Sequence, residues 1–493
     1  MPSVSFRLTE RKILLIFVDL MFVNLTTLFA LWLHAVRNFT PFDMIFVGAN
    51  FYWFVSFSGL WYIAAVVNSF YQTEIATDLS KIVQALLRTE FLILIAYLVI
   101  FFYAAPLNLL PRGIVLYQGI SSIIMIGTWR TLYVLAAQRP AFGRRAMIVG
   151  AGWAGKTMAQ AIFQHARHEY RIVGFVDDEY KKKSSVVVEL HKIDKAQDTP
   201  EETPEDTPVA ASVHLPVLGS SGDLVRLVQE MEISEIILAV THEINTSLFQ
   251  ALIDSKEHGV QITLMPVLFE QLTGRVPIEH ISDDNWYVAL PLDSAESGGF
   301  YPIANRLFDI AGALIGLTIL LPLFPLVALT IYLESPGPIF YTQERVGKGG
   351  RKFNLFKLRT MIPDAEPGGK AKRALTNDTR ITRIGRWLRK VRLDEMPQLI
   401  NILKGDMSAV GPRPERPQHL QELDSKIPFH RLRNAVKPGM AGWAVVNYGY
   451  IESLEDAKIR LQYDLYYVKH QSLWLDIVII LRTMGQMLTL RGR

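Results

Sequence analysis

Residues 305–334, NRLFDIAGALIGLTILLPLFPLVALTIYLE, decide how the second half of the chain folds. The 24 residues 310–333 carry no charge, and this length is enough to cross a hydrocarbon core of about 30 Å. Pro322 and Pro325 lie inside the segment, where each removes a helix hydrogen bond and bends the axis. The pattern therefore predicts a membrane break at Pro322 and Pro325 within a re-entrant helix over residues 306–334, so that a helix–break–helix enters and leaves the membrane on one face. A fifth transmembrane crossing is the alternative.

The composition indicates a membrane part joined to soluble domains. Hydrophobic residues make up 50% of the 493 residues, and aromatic residues make up 11%. The length leaves room for about three domains. The sequence contains no cysteine, which excludes a disulfide framework and a thiolate metal site and suits a reducing cytosolic setting.

Four apolar segments fill the first third of the chain, and they predict a four-helix transmembrane domain over residues 1–140. The segments cover residues 13–36, 44–67, 83–105 and 113–137. Asp19 and Arg130 fall inside the first and the fourth, where a charge is costly unless it is paired across the bundle or reaches the surface. Lys and Arg residues flank the outer ends of the domain, which predicts that both ends face the cytosol.

The next segment has the pattern of a Rossmann-like, doubly wound α/β domain, predicted over residues 141–275. Residues 146–155, AMIVGAGWAG, form an apolar strand that runs into a glycine-rich turn and a helical pattern. A second strand ends at Asp177, at the distance expected of a dinucleotide-binding fingerprint. Residues 193–212 are rich in Asp, Glu, Pro and Thr and predict a disordered acidic insertion, and residues 276–300 predict a linker.

The glycine motif leaves two interpretations open. Gly150, Gly152 and Gly155, with Asp177, would hold a nucleotide or a regulator, because glycine lets the backbone approach a phosphate at a helix N-terminus. The same glycines also serve simply to pack a strand on a helix, so a structural or regulatory domain is the alternative. No Tyr-x-x-x-Lys pair of the dehydrogenase type follows in this segment.

The region after the predicted re-entrant helix is strongly basic. Residues 345–392 contain fifteen Lys or Arg and three acidic side chains. This excess predicts an anionic partner, which would be a nucleotide diphosphate, a lipid phosphate, bilayer headgroups or nucleic acid, and a solvated basic face is the simpler interpretation. Alternating residues around 347–350 predict a short β-hairpin.

An adjacent acidic pair, Asp394 and Glu395, follows in the run 393–399, LDEMPQL. Residues 404–408, KGDMS, and 411–414, GPRP, come next. Two neighbouring carboxylates have two uses with a phosphorylated substrate: one attacks the phosphorus atom, and the other binds Mg²⁺, which neutralises a diphosphate. Nearby arginines would hold phosphate oxygens with paired hydrogen bonds.

In this order the motifs closely resemble the catalytic core of the bacterial polyprenyl-phosphate sugar-1-phosphate transferases. The resemblance is to the long, monotopic form, similar to undecaprenyl-phosphate galactose and glucose phosphotransferases, and it is dense over residues 305–490. It implies that a hexose-1-phosphate passes from a UDP-sugar to undecaprenyl phosphate with release of UMP. Glucose is the sugar expected first, and galactose second. This transfer would be the first membrane step of exopolysaccharide, capsule or O-antigen synthesis.

The resemblance also implies roles for individual residues. Asp394 would be the nucleophile that carries a covalent phosphosugar, and Glu395, together with Asp394, would bind Mg²⁺. Contacts to the substrate phosphates or nucleotide are expected of six residues: Arg413, Arg389, Arg392, Lys357, Arg359 and Arg380. Two positions depart from the family pattern, because Leu321 precedes Pro322 where relatives often carry Ser, and Val445 stands where Gln is common.

The predicted protein is therefore membrane α-helical plus α/β. A four-helix transmembrane bundle precedes the Rossmann-like domain, and residues 301–493 form a mostly α catalytic domain with a re-entrant helix and a small β-hairpin. We expect a multi-pass protein of the bacterial inner membrane, with both soluble domains cytosolic. The expected partners are the two substrates, the lipid bilayer and a second copy in a homodimer, without nucleic acid.

Two other functions fit parts of the sequence. An NAD-dependent nucleotide-sugar dehydratase or epimerase would use the α/β domain, although the missing Tyr/Lys pair counts against it. A non-catalytic scaffold for polysaccharide export would use the basic region to bind anionic lipid.

Overall fold

The computed structural model describes residues 8–76, 78–104, 113–137, 143–179, 185–190, 211–241, 244–281, 299–363, 365, 378–448 and 453–488. The chain divides into two compact units. The N-terminal unit comprises Met1–Leu190, Ala210–Val240 and Ile244–Met265, and the C-terminal unit comprises the remainder, chiefly Pro266–Arg493.

Among the described residues, six helices at the start of the chain are followed by a mixture of strands and helices. Those of the N-terminal unit are α1 (Leu8–Arg37), α2 (Met44–Ala49), α3 (Phe51–Val67), α4 (Thr73–Ala76), α5 (Leu79–Ala104), α6 (Ile114–Ala137), β1 (Arg144–Val149), α7 (Trp153–His165), β2 (Tyr170–Val176), β3 (Ser185–Leu190), β4 (Ala211–Gly219), α8 (Leu224–Glu230), β5 (Glu235–Leu238), α9 (Thr246–Glu257) and β6 (Gln261–Leu264). Those of the C-terminal unit are α10 (Met265–Thr273, whose first residue belongs to the other unit), α11 (Tyr301–Glu334), β7 (Phe340–Val346), β8 (Lys352–Leu358), α12 (Arg383–Lys390), α13 (Gln398–Lys404), β9 (Ser408–Val410), α14 (Pro417–Lys426), β10 (Gly439–Ala441), α15 (Trp443–Asn447), α16 (Leu454–Lys469) and α17 (Leu473–Leu488).

Within the described residues, four helices are long and apolar enough to cross a membrane. They are Glu10–Arg37, Leu79–Val99, Ile114–Ala136 and Tyr301–Glu334. The second predicted span, residues 44–67, is not one helix, because it is divided into α2 and α3 at Asn50. The Asn50 amide donates to the Phe46 carbonyl at 2.9 Å, and such a local side-chain bond competes with the helical backbone.

Asp19 and Arg130, the two charged residues singled out in the predicted spans, pair with each other. Arg130 on α6 donates to Asp19 on α1 at 3.2 Å through Nε, and both side chains are fully buried. The Arg130 guanidinium also lies 4.5 Å from the centre of the Phe70 ring. The two charges are therefore paired across the bundle, and neither reaches the surface.

The α/β part is built on one six-stranded sheet. The strands lie in the order β3-β4-β2-β1-β5-β6, with β3 antiparallel to β4 and the other pairs parallel. Met147 and Val149 of β1 pack with Leu227 of α8 and Leu252 of α9 in one apolar core, while α7 contacts the first three strands. The predicted α/β domain agrees with this sheet.

Two predicted boundaries differ from the structure. The acidic insertion was placed at 193–212, but β4 already begins at Ala211, and the rest of that insertion lies outside the described residues. The linker was placed at 276–300, but Val276 and Ile278 are buried against Leu461 of α16, so the described residues before 282 belong to the C-terminal unit. Val276 and Ile278 are apolar, and burying such side chains in a core is favourable, so this segment is packed and is not an exposed linker.

The C-terminal unit is organised along α11, which is helical through both Pro322 and Pro325. The structure therefore has one continuous helix where the sequence predicts a break at these two prolines. Its first half packs through Ala313 and Leu317 in one apolar cluster, and its second half packs through Val327 and Ile331 in another. The other members of both clusters also belong to the C-terminal unit. The first half of α11 packs with Leu355, Leu399 and Ile402, and the second half packs with Leu358 and Leu388.

Both ends of α11 are also bonded to that unit. Near the first end, the buried Asp309 accepts hydrogen bonds from Ser408 Oγ at 2.9 Å and from the Ala409 N–H at 2.7 Å. At the other end, Glu334 accepts from the N–H groups of Arg383 at 2.6 Å and Ile384 at 2.8 Å. The predicted hairpin position is occupied by β7 and β8, which pair antiparallel. Whether α11 is re-entrant stays a prediction.

Candidate active site

The acidic pair lies on a short turn rather than on the basic helix before it. Helix α12 ends at Lys390, and Arg392 then adopts a left-handed conformation with φ 56°. Such a conformation is uncommon for a residue with a Cβ and is concentrated at functional sites. A 3₁₀ turn, Leu393–Glu395, follows and carries both carboxylates. The acidic pair therefore does not continue the basic helix α12, because Arg392 reverses the backbone before it.

Glu395 is held by two cations on one oxygen. Lys357 Nζ of β8 lies 3.0 Å from Glu395 Oε1, and Arg413 Nη2 donates to the same oxygen at 2.8 Å. The Glu395 residue is only 6% exposed. These two contacts offset the cost of burying the Glu395 charge.

The charges around Glu395 set its protonation state. Burial alone would raise its pKa, but the charges of Arg413, Lys357 and Arg392 together hold the pKa of Glu395 well below its usual value. Burial also lowers the pKa of the Lys357 ammonium, against the opposing charge of Glu395. Glu395 is therefore an anion whose charge is already balanced.

Asp394 is the contrasting member of the pair. It is 7% exposed, and none of the described residues donates a hydrogen bond to its carboxylate. Burial raises the pKa of Asp394 against the charge of Lys357, and neighbouring Glu395 raises it further. A desolvated carboxylate without hydrogen bonds keeps its oxygen lone pairs free to attack a substrate.

The predicted phosphate-binding residues separate into two groups. Arg413 and Lys357 touch Glu395, and the charges of Arg389 and Arg392 act on the acidic pair. Arg389 is also oriented by Thr360, whose hydroxyl accepts from its Nε at 2.9 Å. These four cations surround one small region, which suits a diphosphate.

Arg359 and Arg380 are bonded elsewhere. Arg359 is buried and donates to the Ser335 and Pro336 carbonyls, so it ties the chain after α11 to the end of β8. Arg380 forms an ion pair with Asp378, with Nη2 lying 2.5 Å from Oδ2. The structure gives neither guanidinium a contact with the acidic pair.

Two described protein families match separate parts of this chain. The family described as bacterial sugar transferase matches residues 300–490, and the family described as CoA-binding domain matches residues 67–266. The chain is 43% identical over 220 residues to the UDP-N-acetylgalactosamine-undecaprenyl-phosphate N-acetylgalactosaminephosphotransferase of Aeromonas hydrophila, covering 45% of this chain and 50% of that protein. It is 36% identical over 276 residues to the UDP-glucose:undecaprenyl-phosphate glucose-1-phosphate transferase of Xanthomonas campestris, covering 55% of this chain and 56% of that protein.

A shorter relative is covered almost completely. The chain is 36% identical over 215 residues to the exopolysaccharide production protein ExoY of Rhizobium meliloti, covering 40% of this chain and 92% of that protein. The chain belongs to the bacterial sugar transferase family. It spans about half the length of the two relatives from Aeromonas and Xanthomonas. The acidic pair and its cations all lie within the part that matches the bacterial sugar transferase family.

The acidic pair of this bacterial sugar transferase fits a magnesium ion shared with a diphosphate. Mg²⁺ in phosphate chemistry is usually held by one or two carboxylates and by substrate oxygens, without a cage of protein ligands. Asp394 and Glu395 supply two carboxylates, and no cluster of three or more His, Cys, Asp or Glu ligands occurs in the described parts of the chain. Because Lys357 and Arg413 share one Glu395 oxygen, the ion would be held through the remaining carboxylate oxygens.

The glycine motif of the α/β sheet is explained by close packing. Gly150 has φ 104°, and a Cβ there would lie 2.7 Å from the Ala239 carbonyl oxygen of the neighbouring strand end. A Cβ on Gly155 would clash with the Gly150 carbonyl. Gly152 precedes α7 as its N-cap and has open space around it. Two of the three glycines are therefore required by strand–helix packing alone.

Asp177 closes onto the same turn. Its Oδ2 accepts from the Ala151 N–H at 2.6 Å, and its Oδ1 accepts from the Glu179 N–H at 2.8 Å. The adjacent Asp178 accepts from the Ser221 N–H at 2.7 Å. The Ala151 N–H of the glycine turn is thus bonded to the protein's own carboxylate, which favours the structural interpretation of this motif.

Sequence reasoning missed a buried charge network behind Arg413. Its central members are Arg433, Glu415 and Asp464, and Arg433 Nη2 donates to the Arg413 carbonyl at 2.9 Å. One sequence signal was present: Asp464 lies on the buried face of α16, between the apolar residues Leu461 and Val468. A charge at such a position is costly unless a partner lies opposite.

Proposed function

We propose that this protein transfers a sugar-1-phosphate from a UDP-sugar to undecaprenyl phosphate. The observation that carries the proposal is the contrast within the acidic pair: Glu395 is neutralised by Lys357 and Arg413, whereas the Asp394 carboxylate beside it accepts no hydrogen bond from the described residues. One carboxylate is positioned by charge, and the other is left available as a nucleophile.

The reaction proceeds in two displacements at one phosphorus atom. An Asp394 oxygen attacks the phosphorus that bears the sugar, an O–P bond forms, and the bond to the second phosphate breaks with its electron pair leaving on UMP. An oxygen of undecaprenyl phosphate then attacks the same phosphorus and releases the Asp394 carboxylate. The products are UMP and an undecaprenyl diphosphate sugar, and the enzyme is regenerated.

The surrounding cations stabilise charge during both displacements. Arg413, Arg389 and Arg392 would hold diphosphate oxygens, and Lys357 keeps Glu395 anionic beside them. Bound Mg²⁺ would supply further charge neutralisation of the leaving diphosphate. Arg359 and Arg380 are not included, because their guanidinium groups bond elsewhere.

Glucose is the sugar that we propose first. The names of the relatives specify glucose in Xanthomonas campestris and N-acetylgalactosamine in Aeromonas hydrophila. UDP-N-acetylgalactosamine and UDP-galactose are therefore the donors to compare with UDP-glucose.

We also propose that α11 enters and leaves the bilayer on the cytosolic face. Asp309 near its start and Glu334 at its end both bond to the same C-terminal unit, and both of its halves pack on that unit. A crossing helix would place Asp309 and Glu334 on opposite sides of the membrane, about 38 Å apart by the helical rise between them. The re-entrant arrangement leaves Asp394 at the boundary where a soluble donor meets a lipid acceptor.

The test is UMP release by the full-length, detergent-solubilised protein. It uses UDP-glucose, UDP-galactose and UDP-N-acetylgalactosamine, each with Mg²⁺ and a short polyprenyl phosphate. We expect one donor to dominate, Asp394→Asn to abolish UMP release from donor alone, and Glu395→Gln to shift the Mg²⁺ titration. UMP release by Asp394→Asn at the wild-type level would remove Asp394 from the nucleophile role.

A further inference from the structure

A set of buried charges lies directly behind the loop that carries Arg413. Arg433 is 4% exposed and Asp464 of α16 is 2% exposed, and their Nη2 and Oδ2 atoms lie 2.8 Å apart. Arg433 Nη1 also lies 3.7 Å from Glu415 Oε1, which Arg460 approaches at 3.2 Å. Buried ions at these distances depend on one another, because removing one leaves the others uncompensated.

Two arginines of the network donate hydrogen bonds to consecutive backbone carbonyls of the Arg413 loop. Arg433 Nη2 donates to the Arg413 carbonyl at 2.9 Å, and Arg345 Nη1 donates to the Pro414 carbonyl at 3.0 Å. The Arg413 side chain extends in another direction, to Glu395. The backbone that carries this side chain is therefore held by groups other than the acidic pair.

The charges in the network keep it ionised. Burial would raise the pKa of Glu415, but Arg460, Arg433, Arg345 and Arg413 outweigh it and lower the pKa to about 2. The space lined by the network is about 10 Å³, which is room for one water at most. A space of this size does not admit a UDP-sugar, and the contact of Arg433 that leads toward the acidic pair is the one with the Arg413 loop.

We propose that Arg433, held by Asp464, is a positioning residue that sets Arg413 against the acidic pair. The inference rests on the proposed function, since Arg413 is assigned there to the diphosphate. Arg433 Nη2 meets both the Arg413 carbonyl and the Asp464 carboxylate, while Nη1 lies near Glu415. Lysine at 433 keeps the charge but has a single nitrogen, so it cannot reproduce all three contacts.

The test combines a double-mutant cycle with a structural readout. Arg433→Lys should lower kcat/KM for the UDP-sugar by roughly ten- to a hundredfold, as expected for a displaced positioning group. It should change the same parameter, KM or kcat, as Arg413→Ala does. In the double variant the loss should stay within about twofold of Arg413→Ala alone, because coupled residues are not additive.

A matched control removes the general effect of disturbing a buried arginine. Arg144 pairs with Glu235 at 2.8 Å in the other unit, with similarly buried side chains. Arg144→Lys should leave UMP release unchanged. In the Arg144→Lys, Arg413→Ala double variant, the fold-loss in kcat/KM should equal the product of the two single-variant losses. Losses that multiply in the Arg433→Lys, Arg413→Ala double variant would overturn the proposal.

Hydrogen–deuterium exchange supplies a readout that does not depend on activity. Arg433→Lys should increase exchange in residues 411–416, and Arg144→Lys should not. Unchanged exchange there would overturn the positioning role, whereas absent UMP release by the wild-type protein would count only against the proposed function. If Arg433→Lys does not fold, Asp464→Asn is used in the same cycle and the same exchange experiment, with the same two outcomes.

Discussion

Lys357 Nζ lies 3.0 Å from Glu395 Oε1, and this ion pair divides the two neighbouring carboxylates into different chemical environments. Lys357 lies on β8 and Glu395 on the turn after α12, so the pair also joins the hairpin to the acidic turn. One carboxylate is thereby compensated, while Asp394 remains without a hydrogen-bond donor among the described residues.

Replacing Lys357 tests this division. We expect Lys357→Met to lower kcat/KM for UMP release by about ten- to a hundredfold, since loss of one partner of a buried charged hydrogen bond costs roughly 1.5–3 kcal/mol. The control is Lys352→Met on the same strand, where the ion pair with Glu344 is exposed. An equal loss in both variants would show that charge on β8, and not the contact with Glu395, matters.

Arg359 should behave as a structural residue. Because it is buried and donates to the Ser335 and Pro336 carbonyls, Arg359→Lys should destabilise the protein by about 1–3 kcal/mol. The KM of the remaining folded enzyme for the UDP-sugar should stay within about twofold of wild type. The apparent melting temperature and KM are measured together. A raised KM at an unchanged melting temperature would return Arg359 to the substrate site.

Stability should fall in mild acid because of His280. Burial lowers the pKa of His280 to about 4, below the usual value of 6.5. The unfolded chain therefore binds an extra proton between these values, so the stabilisation is complete above pH 6.5 and is lost as the pH falls toward 4. Below about pH 4 the loss in the free energy of unfolding reaches roughly 3 kcal/mol. His280→Gln should flatten the dependence of melting temperature on pH in this window. An unchanged slope would contradict this assignment.

The topology of α11 can be tested with single cysteines, because the natural sequence has none. Phe300 and Lys352 flank the helix and have exposed side chains. We expect Phe300→Cys and Lys352→Cys to react with a membrane-impermeant maleimide from the cytosolic side only. Phe39→Cys, in the exposed connection after α1, should react from the opposite side and serves as the control. Labelling of Phe300→Cys and Lys352→Cys from opposite sides would establish a full crossing.

Part of the site follows from sequence order alone. The two carboxylates and the GPRP loop occur close together in the chain, and Lys357 and Arg413 do meet Glu395 as their positive charge suggests. Arg359 stands two residues beyond Lys357 and yet bonds to another part of the unit. Sequence spacing could not distinguish them, because Lys357 lies within β8 whereas Arg359 lies just beyond its end at Leu358.

Other features depend on contacts between residues far apart in the chain. Arg433 and Asp464 belong to different elements, and no local period connects them. The break at Asn50 depends on one side-chain hydrogen bond in an otherwise apolar run. The pairing of Asp19 with Arg130 was foreseeable as one of two solutions, because a membrane interior makes unpaired charges costly.

Because Asp309 and Glu334 fasten α11 to the C-terminal unit at both ends, the helix cannot adjust its slope by itself. Transmembrane helices usually answer a thicker or thinner lipid layer by tilting. Here any such tilt must carry the hairpin and the turn bearing Asp394 along with it. Lipid chain length would thus change the depth of the Asp394 carboxylate relative to the bilayer surface. A change of membrane composition would therefore change the rate of the reaction.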